Sequence, residues 1–280
     1  MRIIFVADAF IEDQVLGGGE LNNHELMNLL VEAGQEVMKI NSQFLTVEMI
    51  EENKDAGYII SNFINMTGRA MDCLTKKAKY VIYEHDHKNL KSRNPATYES
   101  NLAPAEEIIN RHFYSKALGV FCQSGRHAEV AEKNLKLDNI ISVGGNLWPV
   151  EILNLISSLT DNKKDKRYSI MNSPIEHKNT RDALLYCKAK ELDYDLIDPC
   201  KYEDFIARLS KNDTLVLFPK TLETLCRVVV EARMLGCKII TNDNVSATSE
   251  DWFSLKGHDL IKVMKEKRET IPKMVLAKFM

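Results

Sequence analysis

The 280-residue sequence has no run approaching 18 consecutive apolar residues, so nothing in it reads as a membrane-spanning helix. Its start, MRIIFVADAF, is strand-like and soon meets Asp and Glu, without the long apolar stretch of a secretory signal. The six cysteines (Cys73, Cys122, Cys187, Cys200, Cys226 and Cys237) form no CxxC pair and stand at no zinc-finger spacing with histidines. Cys122, Cys226 and Cys237 lie in apolar runs and read as buried thiols, for which a reducing cytoplasm is the simplest setting. The glycines never fall as GxGxxG, which removes the dinucleotide fingerprint, and no GK[ST] follows them, which removes a Walker A loop. Charge of one sign is also lacking: the net charge is −3 and the pI about 6.2, not the balance of a strongly basic nucleic-acid binder. Internal repeats and low-complexity tracts are absent.

What remains is an ordinary globular composition, 45% hydrophobic and 28% charged, in a chain long enough for two domains. Short apolar runs alternate with helical periodicity almost throughout. The runs are Ile3–Val6, Glu36–Ile40, Gly57–Ile60, Tyr80–Tyr83, Gly119–Cys122 and Asn139–Val143, then Tyr168–Met171, Tyr194–Ile197, Thr214–Phe218 and Lys238–Thr241. Helical patterns fit between them, among them Glu20–Ala33, Leu102–Lys116, Arg126–Asn134 and Asn179–Glu191. Continuous apolar strands alternating with helices imply parallel sheets covered on both faces. Ten strands are wide for one sheet, and the charged stretch Ser157–Arg167 has the composition of a linker. The expectation is an α/β protein of two domains, residues 1–160 and 161–280, with ligands beyond the carboxyl ends of the strands.

The most informative segment is FPKTLETLCRVVVEARMLGCKIITN, which holds Glu223 and Glu231 with seven residues between them. It reads as strand, short loop, helix, Gly236, strand, with Leu222, Leu225, Val229 and Leu235 at helical spacing. Eight residues of helix climb about 12 Å, so two carboxylates at this separation reach two points of an elongated ligand. A helix amino end at the first of them favours an anion such as a diphosphate.

This segment resembles the E-x7-E element of retaining glycosyltransferases of the GT-B fold, the group-1 or family-4-like enzymes. The resemblance implies two Rossmann-like domains facing a cleft, with the last helix crossing back to the first domain. It implies Glu223 against the donor sugar, Glu231 on the ribose hydroxyls, and Thr221 and Leu222 in the same donor-binding turn. Gly17-Gly18-Gly19-Glu20, opening a helix after the first strand, is similar to the family's GG-x-E turn; bare backbone there lets N–H groups approach a phosphate, so Gly18, Gly19 and Glu20 join the donor site. The family places a histidine at the end of the strand that here is Tyr80–Tyr83, which His85 matches, with His87 second. In the loop opening the second domain the family carries an Arg and then a Lys on the diphosphate. Lys178 matches the Lys, whereas Ser173 stands where the Arg would be, with Arg181 or His177 as substitutes. Val143-Gly144-Gly145-Asn146 is similar to the family's hinge turn, and Ser124 to a serine after the fifth strand.

The loop from Glu84 to Pro95 admits other readings. His85, Asp86 and His87 could ligate zinc, but adjacent residues of an extended strand point to opposite faces, so a turn is required. Lys88, Lys91 and Arg93 form a basic cluster that could meet phosphates of the donor or of an acidic acceptor. The DxD-type pair Asp193-Tyr194-Asp195 lies where a strand begins, on the wrong side of the sheet for a donor metal. The expectation is therefore a metal-independent, retaining transfer without a cofactor, from a nucleotide-sugar donor. His85, Glu223 and Lys178 surround the reacting centre. The acceptor is a glycan, a lipid-linked sugar, a protein or a small molecule. A viral-type enzyme acting on a hydroxylated DNA base, and a degenerate nucleotide-sugar-binding protein, are the alternatives.

Overall fold

A computed structural model describes residues 1–13 and 17–280. The chain divides into two compact units, Met1–Trp148 with Lys267–Met280, and Pro149–Glu266. The charged stretch 157–167 is not where they part: Val150–Thr160 is helical and Asp165 already begins a strand.

The first unit runs β1 (Arg2–Ala7), α1 (Gly18–Glu32), β2 (Glu36–Asn41), α2 (Val47–Glu52), β3 (Gly57–Ile60), α3 (Gly68–Lys77), β4 (Lys79–Glu84), α4 (Arg111–Lys116), β5 (Val120–Cys122), α5 (Gly125–Leu135) and β6 (Ile140–Ser142). Its six strands are parallel in the order β2-β1-β3-β4-β5-β6. Residues alternate between two covered faces. Ile4, Val6, Tyr58, Ile60, Tyr80 and Ile82 enter one core; Ile3, Phe5, Ile59, Val81 and Tyr83 enter the other. Burial on both sides explains why these strands read as unbroken apolar runs. Ile271, Val275 and Phe279 complete the second core, so the end of the chain covers that face.

The second unit runs α6 (Val150–Thr160), β7 (Asp165–Met171), α7 (Thr180–Ala189), β8 (Tyr194–Ile197), α8 (Tyr202–Lys211), β9 (Asn212–Leu217), α9 (Arg227–Met234) and β10 (Lys238–Thr241), and α10 (His258–Leu276) begins within it. Its four parallel strands lie in the order β10-β9-β7-β8. In each sheet the first strand is flanked by the second on one side and the third on the other. The loops leaving β1 and β3, and those leaving β7 and β9, therefore diverge at a topological switch point, where α/β sheets bind ligands.

Helix ends follow local chemistry. Thr67 and Ser124 cap α3 and α5 by accepting from Ala70 N and His127 N. Gly236, at φ +83°, closes α9 as a Schellman motif, with its own N–H on Arg233 O and that of Cys237 on Ala232 O. Two expected helices are shorter. Of Leu102–Lys116 only Arg111–Lys116 is α-helical, because Asn101 and Asn110 take left-handed conformations. The helix expected from Leu222 begins at Arg227, after Cys226 at φ 77°.

Candidate functional site

In the second unit, the loops leaving β7 and β9 bring the two expected catalytic residues of that unit together. Lys178 ends a single 3-10 turn, Glu176–Lys178, and its Nζ donates to Glu223 Oε1 at 2.8 Å. Their side chains are 23% and 13% exposed, so the pair is open enough for a ligand yet shielded enough for its field to matter. Burial acts to lower the Lys178 ammonium, but the Glu223 carboxylate outweighs it and holds its pKa above the usual lysine value. The surrounding loops are fastened to one another. Asn179 Nδ2 donates to Phe218 O at 2.8 Å, Lys220 N to His177 O at 2.8 Å, and Asn242 and Asn244 both donate to Pro219 O.

Glu223 itself is not on a helix. Its N–H donates to Asn244 O at 2.8 Å and its C=O accepts from Ser246 N, forming a parallel bridge with Val245. Leu222 and Leu225 are buried from non-helical backbone, not from a helical stripe, and only then does α9 start. The sequence-based expectation that Glu223 stands at a helix amino end is thus corrected: backbone groups that a helix would use are taken by residues 244–247. Thr221 precedes this bridge, half-buried.

Glu231, on α9, is 3% exposed. Tyr202 Oη donates to its Oε1 at 2.6 Å, and Arg227 Nε lies 3.7 Å from the same oxygen. Burial and the neighbouring carboxylate both push the Tyr202 phenol upward, so it stays a donor. Ser173 N–H donates to Thr180 Oγ1, and its own hydroxyl accepts from Ile175 N. Ser173, Arg181 and Lys220 line one depression of about 380 Å³ at the start of α7. Of the two substitutes for the missing arginine, Arg181 shares this depression with Ser173.

In the first unit, α1 opens at Gly18, with Gly17 as its N-cap. A Cβ on Gly19 would stand 3.4 Å from His85 Cγ, at ordinary van der Waals contact, so the first turn of α1 runs beside that ring. Glu20 Oε1 accepts weakly from Asn62 Nδ2 at 3.4 Å. His85 Nε2 is 2.6 Å from Asn23 Oδ1, and Tyr83 meets the imidazole edge-on at 5.1 Å. The turn Gly18–Glu20 and His85, expected from separate motifs, therefore meet beyond β1 and β4.

The rest of the β4 loop departs from its sequence reading. Lys88 is fully buried, not part of a solvated basic cluster: it pairs with Glu84 and, at 3.2 Å, with Asp86. Arg93, itself exposed, pairs with Asp86; Tyr114 Oη donates to Glu84; and Lys91 is exposed. Burial raises the Glu84 carboxyl against the pull of Lys88, while Lys88 and Arg93 outweigh burial at Asp86 and hold it far below the usual range. His87 packs edge-on against His127 at 4.9 Å. Zinc ligation by His85, Asp86 and His87 does not arise, since His85 turns to α1 and Asp86 to two cations. Among the described residues no group of His, Cys, Asp and Glu is placed to share a metal ion. Asp193 and Asp195 pair with Arg167 and Arg208.

The sequence did not single out Asn22, Asn23, Ser61 or Gln123. Asn22 Nδ2 donates to Tyr83 Oη and Gln123 Oε1, and its Oδ1 accepts from Leu147 N at 2.7 Å. Polar residues inside an apolar helical face were the available signal, because buried amides persist only where partners exist.

No family profile and no curated protein matches the sequence. Solved structures do. HepE of Anabaena, crystallised with UDP and glucose, shares 14% identity at TM-score 0.55, covering 100% of this chain and 92% of its own. AviGT4, a glycosyltransferase of avilamycin A biosynthesis, shares 12% at TM-score 0.58, with 99% and 96% coverage. A trehalose-phosphate synthase of Burkholderia vietnamiensis shares 8% at TM-score 0.58, with 99% and 93% coverage. At these identities the likeness is one of fold. This chain has the α/β architecture of GT-B glycosyltransferases over its whole length. Among the described residues no helix is long and apolar enough to cross a membrane.

Proposed function

We propose that this protein is a glycosyltransferase that moves a sugar from a nucleotide-diphosphate donor to an acceptor hydroxyl, with retention at the anomeric carbon and without a metal or other cofactor. The observation that carries the reading is the Lys178–Glu223 pair at the switch point between β7 and β9, in a fold shared with HepE, solved with UDP and glucose, and with the glycosyltransferase AviGT4. A fixed ammonium is what a departing diphosphate requires, and it costs no reorganisation as charge develops. Glu223 holds that ammonium and presents its second oxygen to the sugar. Arg181 supplies, from the depression it shares with Ser173, the positive charge that Ser173 cannot. The turn Thr221–Leu222 holds the donor through its backbone, Glu231 takes the ribose, and Gly18, Gly19, Glu20 and His85 serve the sugar and acceptor. In this reading the unit of Met1–Trp148 with Lys267–Met280 carries the acceptor side and Pro149–Glu266 the donor side, in the cytoplasm.

The acceptor is a glycan, a lipid-linked sugar, a protein or a small molecule. A modified DNA base is a second reading, favoured by the likeness to an α-glucosyltransferase solved with UDP and a 13-mer DNA containing an HMU base, at 13% identity and TM-score 0.50 over 100% of this chain and 92% of that one. The burial of Lys88 and the pairing of Arg93 leave the β4 loop less basic than its sequence, which weighs against a phosphate backbone there.

A thermal-shift series with uridine, guanosine, adenosine and cytidine nucleotide sugars tests the proposal. The true donor at 100 times its Kd stabilises by roughly 2.7 kcal/mol. Absence of response to every nucleotide overturns it, and binding without release of a nucleoside diphosphate reduces it to a degenerate binding protein.

A further inference from the structure

We infer that Asn23 is a positioning residue for His85, fixing its ring as the Nε2–H tautomer so that Nδ1 is the acceptor nitrogen. Asn23 Oδ1 lies 2.6 Å from His85 Nε2 and accepts from Ser61 Oγ at 2.9 Å. A carbonyl oxygen has no proton to give, so the nitrogen facing it must carry one. In a neutral imidazole the other nitrogen then holds the lone pair. Asn23 is 1% exposed and Ser61 fully buried, so water does not compete for that oxygen.

The rest of the cradle sets the ring plane. Gly19 and Asn23 stand four residues apart on α1, on one face of the helix. Gly19 faces the ring, with room for no more than a Cβ at van der Waals contact, while Asn23 holds its Nε2. Tyr83, two residues before His85 on β4, meets the ring at 89°. Asn22 anchors α1 from the neighbouring position through Tyr83, Gln123 and Leu147. A ring held on these sides keeps one orientation, and the tautomer decides which chemistry it offers. As acceptor, Nδ1 takes a hydrogen bond from a hydroxyl group, which is what sugars and hydroxyl acceptors present. That consequence rests on the glycosyltransferase reading; the tautomer itself rests on geometry alone.

The test is the imidazole ¹⁵N spectrum of the full chain at pH about 8, well above the ordinary histidine pKa of about 6.5. His85 signals are assigned by their loss in His85→Gln. Wild type is expected to give a protonated-type Nε2 and a lone-pair-type Nδ1. Asn23→Leu, similar in size, gives an average of the two tautomers, while Asn23→Asp, which keeps an acceptor oxygen, retains the wild-type pattern. An Nδ1–H pattern in wild type means that the Asn23 amide is turned over with Nδ2 donating to the ring, and overturns the inference. So does an unchanged pattern in Asn23→Leu. If Asn23→Leu fails to fold, the wild-type and Asn23→Asp spectra still decide. The spectra need no substrate, so a correct tautomer in a protein without transferase activity refutes the proposed function and leaves this inference standing. With an active donor in hand, Asn23→Leu lowers kcat about tenfold and leaves the donor KM within about twofold.

Discussion

Lys178 and Glu223 lie 45 positions apart in sequence, on the loops leaving β7 and β9, and meet at 2.8 Å. The carboxylate keeps the ammonium charged in a shielded place, and the ammonium holds the carboxylate in position. In Glu223→Gln the carboxylate that outweighs burial at Lys178 is gone, so its pKa falls below the wild-type value, measurable by NMR of labelled lysine. As transition-state electrostatics of this kind are worth roughly 10²- to 10³-fold in kcat, transfer in Glu223→Gln and Lys178→Ala should drop by that order. Nucleoside diphosphate release within twofold of wild type removes both from the reaction.

Lys88 gives a stability prediction independent of any activity. Its side chain is 0% exposed and that of Glu84 1%. Replacing Lys88 by Met leaves Glu84 buried without its cation, which costs about 3–5 kcal/mol. Lys88→Met with Glu84→Gln removes both charges and should recover a good part of that loss, a coupling visible in a double-mutant cycle by urea unfolding. Additive losses would mean that the pair does not interact.

The strands were legible because burial on both faces writes them as continuous apolar runs. Tyr58, Ile59 and Ile60 are each fully buried, as are Val81, Ile82 and Tyr83. Gly236 announced the end of α9 for an equally local reason. What failed was decided far along the chain. Leu222 and Leu225 stand three apart, as in a helix, yet the backbone around Glu223 pairs with residues 244–247, and no local pattern carries that pairing. Lys88 looked like a solvated cation because what surrounds it comes from distant positions: the Phe63 ring lies 5.6 Å from its ammonium, and Tyr114 donates to its partner Glu84. The motifs placed Lys178 with Glu223 and Gly19 beside His85; the amides packed around them, Asn22 and Asn23, gave no signal, since a buried Asn looks in sequence like any polar helix residue.

His127 makes the fold sensitive to mild acid. It is fully buried; its Nδ1 accepts from Gln123 N at 3.1 Å and its Nε2–H donates to Asp86 O at 3.0 Å. Burial first, then the neighbouring His87, hold its pKa well below the usual histidine value. The unfolded chain therefore binds a proton below about pH 6.5 that the folded chain refuses, and stability falls with pH by up to about 1.4 kcal/mol per unit until the folded pKa is reached. His127→Gln should be less stable at pH 8 but lose less between pH 6.5 and 5. Parallel stability curves for the two proteins, from urea unfolding across that range, would remove His127 as the source.

Tyr202 and Glu231 pose a competition that a single hydroxyl decides. The Tyr202 phenol occupies Glu231 Oε1 at 2.6 Å, the oxygen assigned to the donor ribose under the proposed function. A ribose hydroxyl can take that oxygen only if the phenol yields it, so part of the donor's binding energy goes into breaking the internal bond. Hydrogen bonds to a charged partner contribute about 1.5–3 kcal/mol net, but Tyr202 regains a bond to water on leaving, so the recoverable part is smaller. Tyr202→Phe should therefore bind UDP about three- to tenfold more tightly by calorimetry, with the fold intact because the ring remains. Glu231→Gln should bind it more weakly, having lost the charged acceptor. If Tyr202→Phe weakens UDP binding instead, Tyr202 touches the nucleotide itself, and Glu231 serves to aim the phenol and not to hold the ribose.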